Sequence, residues 1–214
     1  MYSSLIQIIP LLICAGTYAG LFRIFYSTGR SNGNRYVHCP WYFHLSGIAF
    51  AIAVLWILNY KFVTKAVLGA FLGYLLFNAV TDAYDKIVYR YPHIIIGIMC
   101  TGLLFASKAS IPGCLMFFVF LIFAAMLKCY AMGDTYIYMV AGIALTAVGI
   151  DFIGLLTFWV GSILLFLIAN VRHLKIEKNK DGKTVLLGGG RPVGPFIFLS
   201  VIVMLLFMRL PAAL

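Results

Sequence analysis

Phe123-Ala124-Ala125-Met126-Leu127-Lys128-Cys129-Tyr130-Ala131-Met132-Gly133-Asp134-Thr135-Tyr136-Ile137-Tyr138-Met139-Val140 is the stretch that decides how this chain is read. One apolar segment ends near Lys128 and another starts near Tyr136. Gly133 and Asp134 stand between them, which reads as a turn joining two membrane spans. A carboxylate at the rim of a membrane segment is costly, and where one occurs it points to function. Gly133 has no Cβ, so the backbone can bend there or accept a close neighbour. The chain has six acidic residues: Asp82, Asp85, Asp134, Asp151, Glu177 and Asp181. Asp82, like Asp134, falls at the end of an apolar run.

The rest of the sequence agrees with a membrane setting. Of 214 residues, 64% are hydrophobic and only 10% charged, whereas a soluble domain is nearer half apolar and a quarter charged. A spanning helix needs roughly 20 apolar residues. The length therefore predicts an all-α, polytopic membrane protein of about eight helices in a single membrane-embedded domain, 1–214. The expected spans are roughly 4–26, 41–59, 65–81, 93–107, 113–130, 136–150, 152–171 and 193–210. Lys61 and Lys65 read as a short loop, Asp82 to Pro92 as a loop or frayed helix end, and 172–192 as a long polar loop. Pro92 disfavours helix at Tyr91. No basic n-region precedes the first apolar run, since the first basic residue is Arg23, and that run is expected to be a retained helix.

The net charge of +10 lies mostly in loops, where insertion demands it. No basic face interleaved with exposed aromatics appears, so nucleic acid is not an expected partner. With eight spans, the odd-numbered loops and the helix ends beside them hold Arg23, Arg30, Arg35, Lys86, Arg90, Lys128, Arg172, Lys175, Lys178, Lys180, Lys183 and Arg191. The opposite side holds Lys61, Lys65, Lys108 and Arg209. This asymmetry predicts cytoplasmic odd loops and both termini outside. Asp82 and Asp134 then share the cytoplasmic face, and Asp151 lies across the membrane from them.

Other chemistries find little support. The five cysteines are odd in number and form no C-x-x-C pair, so neither a disulfide framework nor a zinc site is expected. His38, His44, His93 and His173 lack metal-ligand spacing, and His93, near Asp82, reads as an interfacial side chain. Gly182-Lys183-Thr184 lacks the glycine a phosphate loop needs, because Glu177 stands in its place. The basic run Lys175 to Lys183 fixes topology or meets anionic lipid. Neither a metal nor a cofactor is expected.

Asp82 and Asp134 carry the sharper reading. Two carboxylates within reach cannot both ionise cheaply and so share a proton. The ionised one takes a proton from water while the protonated one donates to a peptide carbonyl. That is hydrolysis without metal or covalent intermediate. The plainer reading, that each Asp caps a helix or marks a water boundary, stays open at this point.

These residues resemble the type IV prepilin peptidases, relatives of the presenilin-type GxGD proteases. The first signature of that family is an Asp at the cytoplasmic end of a helix, followed by polar residues and Ile-Pro-Asn. Here Asp82-Ala83-Tyr84-Asp85-Lys86-Ile87-Val88-Tyr89 is similar, with Val88 in the Ile place and Tyr89 in the Pro place. A rival register sets Asp85 against Tyr91-Pro92; Asp82 is preferred because it directly ends the expected helix. The second signature, Gly-x-Gly-Asp-x-Lys, is matched at Gly133 and Asp134 and departed from at Ala131 and Tyr136. Pro192-Val193-Gly194-Pro195-Phe196 resembles the Pro-Phe-Gly-Pro-Phe opening of the family's last span.

The resemblance implies a membrane aspartic endopeptidase with Asp82 and Asp134 as catalytic residues, Gly133 supporting and Asp85 as alternative. It implies prepilin or pseudopilin substrates, cleaved at the cytoplasmic face of the inner membrane, with the lipid bilayer as surroundings. Larger family members carry a zinc-type cysteine tetrad after span one, associated with N-methylation. Only Gly29 to Pro40 stands there, with Cys39, so peptidase activity alone is expected. The rival readings are a proton- or cation-coupled transporter and an inactive pilus or secretion assembly factor.

Overall fold

The computed structural model describes residues 2–107, 109, 111–127, 132–171, 175–178, 184–187 and 192–207. In it the apolar runs form eight α-helices: α1 (Tyr2–Ser31), α2 (Trp41–Ile57), α3 (Phe62–Asp85), α4 (Arg90–Ser107), α5 (Ile111–Met126), α6 (Met132–Ala147), α7 (Phe152–Asn170) and α8 (Gly194–Phe207). A 3-10 turn, Arg35–His38, lies between α1 and α2. Among the described residues the fold is all-α apart from one antiparallel ribbon, β1 (Lys175–Lys178) with β2 (Thr184–Leu187), in which Lys175 pairs with Leu187.

The helices gather around α3, which touches α1, α2, α4, α6, α8 and the 3-10 turn. Two glycines one turn apart allow the closest of these approaches. A Cβ on Gly69 would lie 2.4 Å from the carbonyl oxygen of Pro10, and one on Gly73 would lie 2.4 Å from that of Cys14. No side chain fits there, so α1 and α3 meet backbone to backbone, as small residues allow between membrane helices.

Four helical segments among the described residues are long and apolar enough to cross a membrane: Gln7–Ser31 of α1, and α3, α4 and α7. The apolar helices α2, α5 and α8 are shorter, at 17, 16 and 14 residues, below the roughly 20 of a full crossing. The outer surface exposes Ile98, Phe105, Val119, Phe123, Ile153 and Ile168. So much apolar surface is unusual against water and ordinary against lipid.

Several boundaries differ from the sequence reading. Lys65 is no loop residue: it lies in the first turn of α3, buried. The same helix runs past Asp82 to Asp85 and stops at Lys86, whose φ of 57° turns the backbone left-handed. Tyr91 is helical despite Pro92, because Pro92 stands in the first turn of α4, where a missing N–H breaks no helical bond. Gly133 and Asp134 form no turn; they are in the first turn of α6. The 172–192 loop contains the ribbon. Lys108, Lys128 to Ala131, Arg172, His173, Lys180 to Lys183, Gly188 to Arg191 and Arg209 lie outside the described residues.

Candidate functional site

The last two turns of α3 carry Asn78, Thr81 and Asp82 in an otherwise apolar run. All three are buried. The Thr81 hydroxyl donates to the carbonyls of Phe77 (3.1 Å) and Asn78 (3.2 Å), and Asn78 Nδ2 donates to Tyr74 O at 2.9 Å. These bonds stay within the helix and leave the Asp82 carboxyl for contacts elsewhere.

Asp82, only 5% exposed, meets the start of α8. Its Oδ2 accepts a 2.7 Å hydrogen bond from the backbone N–H of Gly194. The approach needs glycine: a Cβ at position 194 would stand 3.1 Å from Asp82 Oδ2, 3.2 Å from Asp82 Cβ and 3.3 Å from Asn78 O. The first turn of a helix has N–H groups without intrahelical partners, and here one of them braces a carboxyl group.

Asp134, 7% exposed, stands in the first turn of α6. The residue before it, Gly133, faces the segment that follows Asp82. A Cβ at 133 would lie 3.3 Å from Cβ of Val88 and 3.5 Å from its Cγ2. α6 also touches both α3 and α8. The Asp82-to-Tyr89 segment, the Gly133-Asp134 pair and the Pro192-to-Phe196 segment therefore converge at one end of the bundle.

Asp85 is engaged differently. Its two carboxylate oxygens accept from successive backbone N–H groups, Oδ1 from Arg35 (2.8 Å) and Oδ2 from Tyr36 (2.7 Å). Arg35 Nε lies 3.7 Å from Asp85 Oδ1, and its Nη2 donates to Tyr84 O at 2.8 Å. Asp85 thus caps the 3-10 turn. Asp151 takes a similar part for α7, accepting from Gly154 N at 2.8 Å. For these two, capping is what the geometry shows.

Sequence reasoning passed over two buried polar groups below Asp82 and misplaced a third. Asn78 is one helical turn before it, and Tyr74 one turn before that. The Tyr74 hydroxyl meets Nδ1 of His93, a residue read from sequence as interfacial but only 6% exposed. His93 also stacks on Tyr136, with ring centroids 5.8 Å apart. The signal was available in part: Asn78 is a polar residue at i−4 from a candidate aspartate inside an apolar run.

Among the described residues no three His, Cys, Asp or Glu side chains group to hold a metal. Cys14, Cys39, Cys100 and Cys114 are free and buried. What the site offers is two buried carboxyl groups on helices in contact, at the same end, one of them braced by a backbone donor. No known family, no curated protein and no solved structure matches this chain.

Proposed function

We propose that the chain is an intramembrane aspartic endopeptidase in which Asp82 and Asp134 share a proton and activate water between them. The observation that carries this reading is the convergence at Asp82: its hydrogen bond to Gly194, 112 residues away, and Val88 set against Gly133. Three segments that resemble one peptidase family in sequence are thereby neighbours in space. Asp82 takes precedence over Asp85 in this reading because both oxygens of Asp85 already hold the 3-10 turn.

In the reaction, the ionised carboxylate removes a proton from water as the oxygen attacks the scissile carbonyl. The protonated partner donates its proton to the developing oxyanion, and the carboxyl that took a proton from water then gives it to the departing amine nitrogen. The first donor, now ionised, takes a proton back from the gem-diol as the C–N bond breaks, so the pair ends as it began, with one proton between two carboxyl groups. The substrate class is prepilin-like and pseudopilin-like proteins, cut between a short basic leader and an apolar helix. The site faces the cytoplasm from the inner membrane, with all eight helices embedded, and no methyl transfer accompanies cleavage. Co-expression with a prepilin-like substrate, followed by gel shift, tests it. Leader removal stops in Asp82→Asn and in Asp134→Asn; processing that survives both substitutions eliminates the proposal.

A second reading, a proton- or cation-coupled transporter, draws on Tyr74, Asn78 and His93, which continue the buried polar surface from Asp82 toward the middle of α3. It expects ion flux in proteoliposomes that falls in His93→Phe, and no leader removal.

A further inference from the structure

We infer that Asp85 is a positioning residue, which holds the segment between the two candidate catalytic aspartates in place from outside the site. The inference rests on the dyad reading and assigns to Asp85 a part that the family resemblance does not give it.

The chain of contacts is continuous. Asp85 closes α3 and accepts from Arg35 N and Tyr36 N, which come from the α1–α2 connection some 50 residues earlier. Hydrogen bonds to a charged acceptor are about twice as strong as neutral ones, and two successive N–H groups on two oxygens fix direction as well as distance. Tyr36, fully buried, extends the clasp. Its hydroxyl donates to Phe25 O at 2.7 Å and meets the Tyr89 hydroxyl at 3.0 Å. Burial first, then the Tyr89 hydroxyl and the Asp85 charge, push the Tyr36 phenol well above its usual pKa, so it stays a donor. Tyr89 in turn stacks on Phe25 at 4.1 Å and packs beside Phe77.

The four residues Lys86 to Tyr89 are therefore pinned at both ends: Asp85 holds the first, and Tyr36 with Phe25 holds the last. Val88 is within this pinned segment, and Val88 is what Gly133 rests against. Asp134 follows Gly133 directly. α6 is also held by α4, α5 and α8, but the contact beside Asp134 itself is the one Gly133 makes with Val88, so the fine placement of Asp134 relative to Asp82 depends on Val88, and Val88 on Asp85. The Arg35 side chain is peripheral to this, being 77% exposed, and an exposed ion pair contributes little.

The test compares Asp85→Asn with Arg35→Ala. The first keeps one acceptor and turns an NH2 group toward a backbone N–H, whereas the second keeps both N–H donors. Two readouts are taken. The first is leader removal, with kcat counted per folded molecule. The second needs no activity: Asp82→Cys and Asp134→Cys are combined in a chain whose native cysteines are replaced by alanine, and the pair is joined with a short bifunctional thiol reagent.

Asp85→Asn is expected to lower kcat about tenfold or more with KM nearly unchanged, since small misplacement of reacting groups has effects of this order. It lowers the cross-link yield in parallel, and Asp85→Glu restores part of both. Tyr36→Phe acts in the same direction by about threefold, and Arg35→Ala leaves both readouts within about twofold. If the cysteine pair joins as well with Asp85→Asn added as without it, positioning by Asp85 is wrong and the dyad stands. A lower melting temperature with kcat per folded molecule unchanged also overturns the inference, because the clasp then serves the fold alone. If the parent pair fails to join and both aspartate-to-asparagine variants at 82 and 134 still process substrate, the dyad and the inference fall together.

Discussion

The helices α3 and α7 invert the rule that holds in water. Both are long and apolar enough to cross a membrane, and α7 is the more apolar of the two. Yet over an apolar 18-residue stretch of each, 78% of the residues of α3 are buried and only 17% of those of α7. α7 has no charged residue, while α3 contains Lys65, Asp82 and Asp85 together with Asn78 and Thr81. Lipid is as apolar as leucine, so burying apolar surface no longer separates inside from outside. What separates them is the need of polar groups for partners. The helix that carries the charged groups goes to the centre, and the helix without any lies at the periphery.

The largest effect that sharpens this contrast is chemical. If the polar stripe of α3 exists for catalysis, Asp82→Asn removes ionisation while keeping an acceptor for Gly194 N–H. Leader removal then falls about 10³-fold, within the usual range for a lost acid or base, and the folded fraction is retained. No single polar-to-apolar change on α7, Thr157→Val for instance, alters processing beyond about twofold. A gel-shift time course reads both; equal losses would remove the distinction between the two helices.

Packing separates the same helices next. Gly73→Ala puts a Cβ 2.4 Å from Cys14 O, backbone that cannot move aside, and is expected to destabilise by about 3 kcal/mol. Gly161 on α7 has only Ser200 Oγ at 3.4 Å. Gly161→Ala is therefore neutral or stabilising by about 0.5 kcal/mol. Thermal unfolding in detergent measures the pair, and a Gly73→Ala chain as stable as its parent would mean that α1 and α3 are not in backbone contact.

The lipid face gives the third contrast. Leu164, in the middle part of α7, is half exposed, a position where aspartate is harmless on a soluble protein. Facing lipid, Leu164→Asp costs about 2.5 kcal/mol of insertion free energy, visible as a lower inserted fraction in a glycosylation-mapping assay. Unchanged insertion would argue that α7 faces water.

How far these regions could be read from residues follows the same physics. The order of the helices was legible because apolar runs of this length have few alternatives. Asp151 was read only as the joint between two spans, and its capping of α7, being local, is a signal that the residues before that helix did carry. Gly133-Asp134 read as a turn, yet an acidic residue in a first helical turn is equally a start signal, and α6 begins there. Pro92 read as a breaker, but its position in the first turn of α4 makes it harmless. Lys65 read as a loop charge because its burial against neighbouring helices has no local signature. The ribbon 175–178 with 184–187 was missed because four-residue strands without alternation give no pattern. Most of the candidate site is non-local: Asp82 with Gly194, Asp85 with Arg35 and Tyr36, Val88 with Gly133. Likeness to a known set of motifs singled out Asp82, Val88, Gly133 and Gly194, but none of these three pairings was read from the chain. Gly69 and Gly73, at i and i+4 in an apolar run, were a readable sign of close helix contact that the sequence reading did not use.

The smallest effect concerns where α3 ends. Lys86 is the sole non-glycine residue with positive φ among the described residues. It closes the helix by donating its N–H to Asp82 O at 2.9 Å. A left-handed conformation disfavours any residue with a Cβ by about 1 kcal/mol, and glycine escapes that penalty while losing more freedom on folding. Lys86→Gly alone would mix this backbone gain with loss of the lysine side chain, so it is compared with Lys86→Ala, which loses the same charge. The glycine chain should exceed the alanine chain in stability by about 1 kcal/mol, read as the difference in unfolding midpoint. α7 ends differently, since Val171 continues with right-handed dihedrals, and there the order reverses: Val171→Ala should be the more stable of the alanine and glycine pair by about 0.5 kcal/mol. The same order at both ends would show that Lys86 is not left-handed, and the turn that brings Val88 onto Gly133 would need another origin.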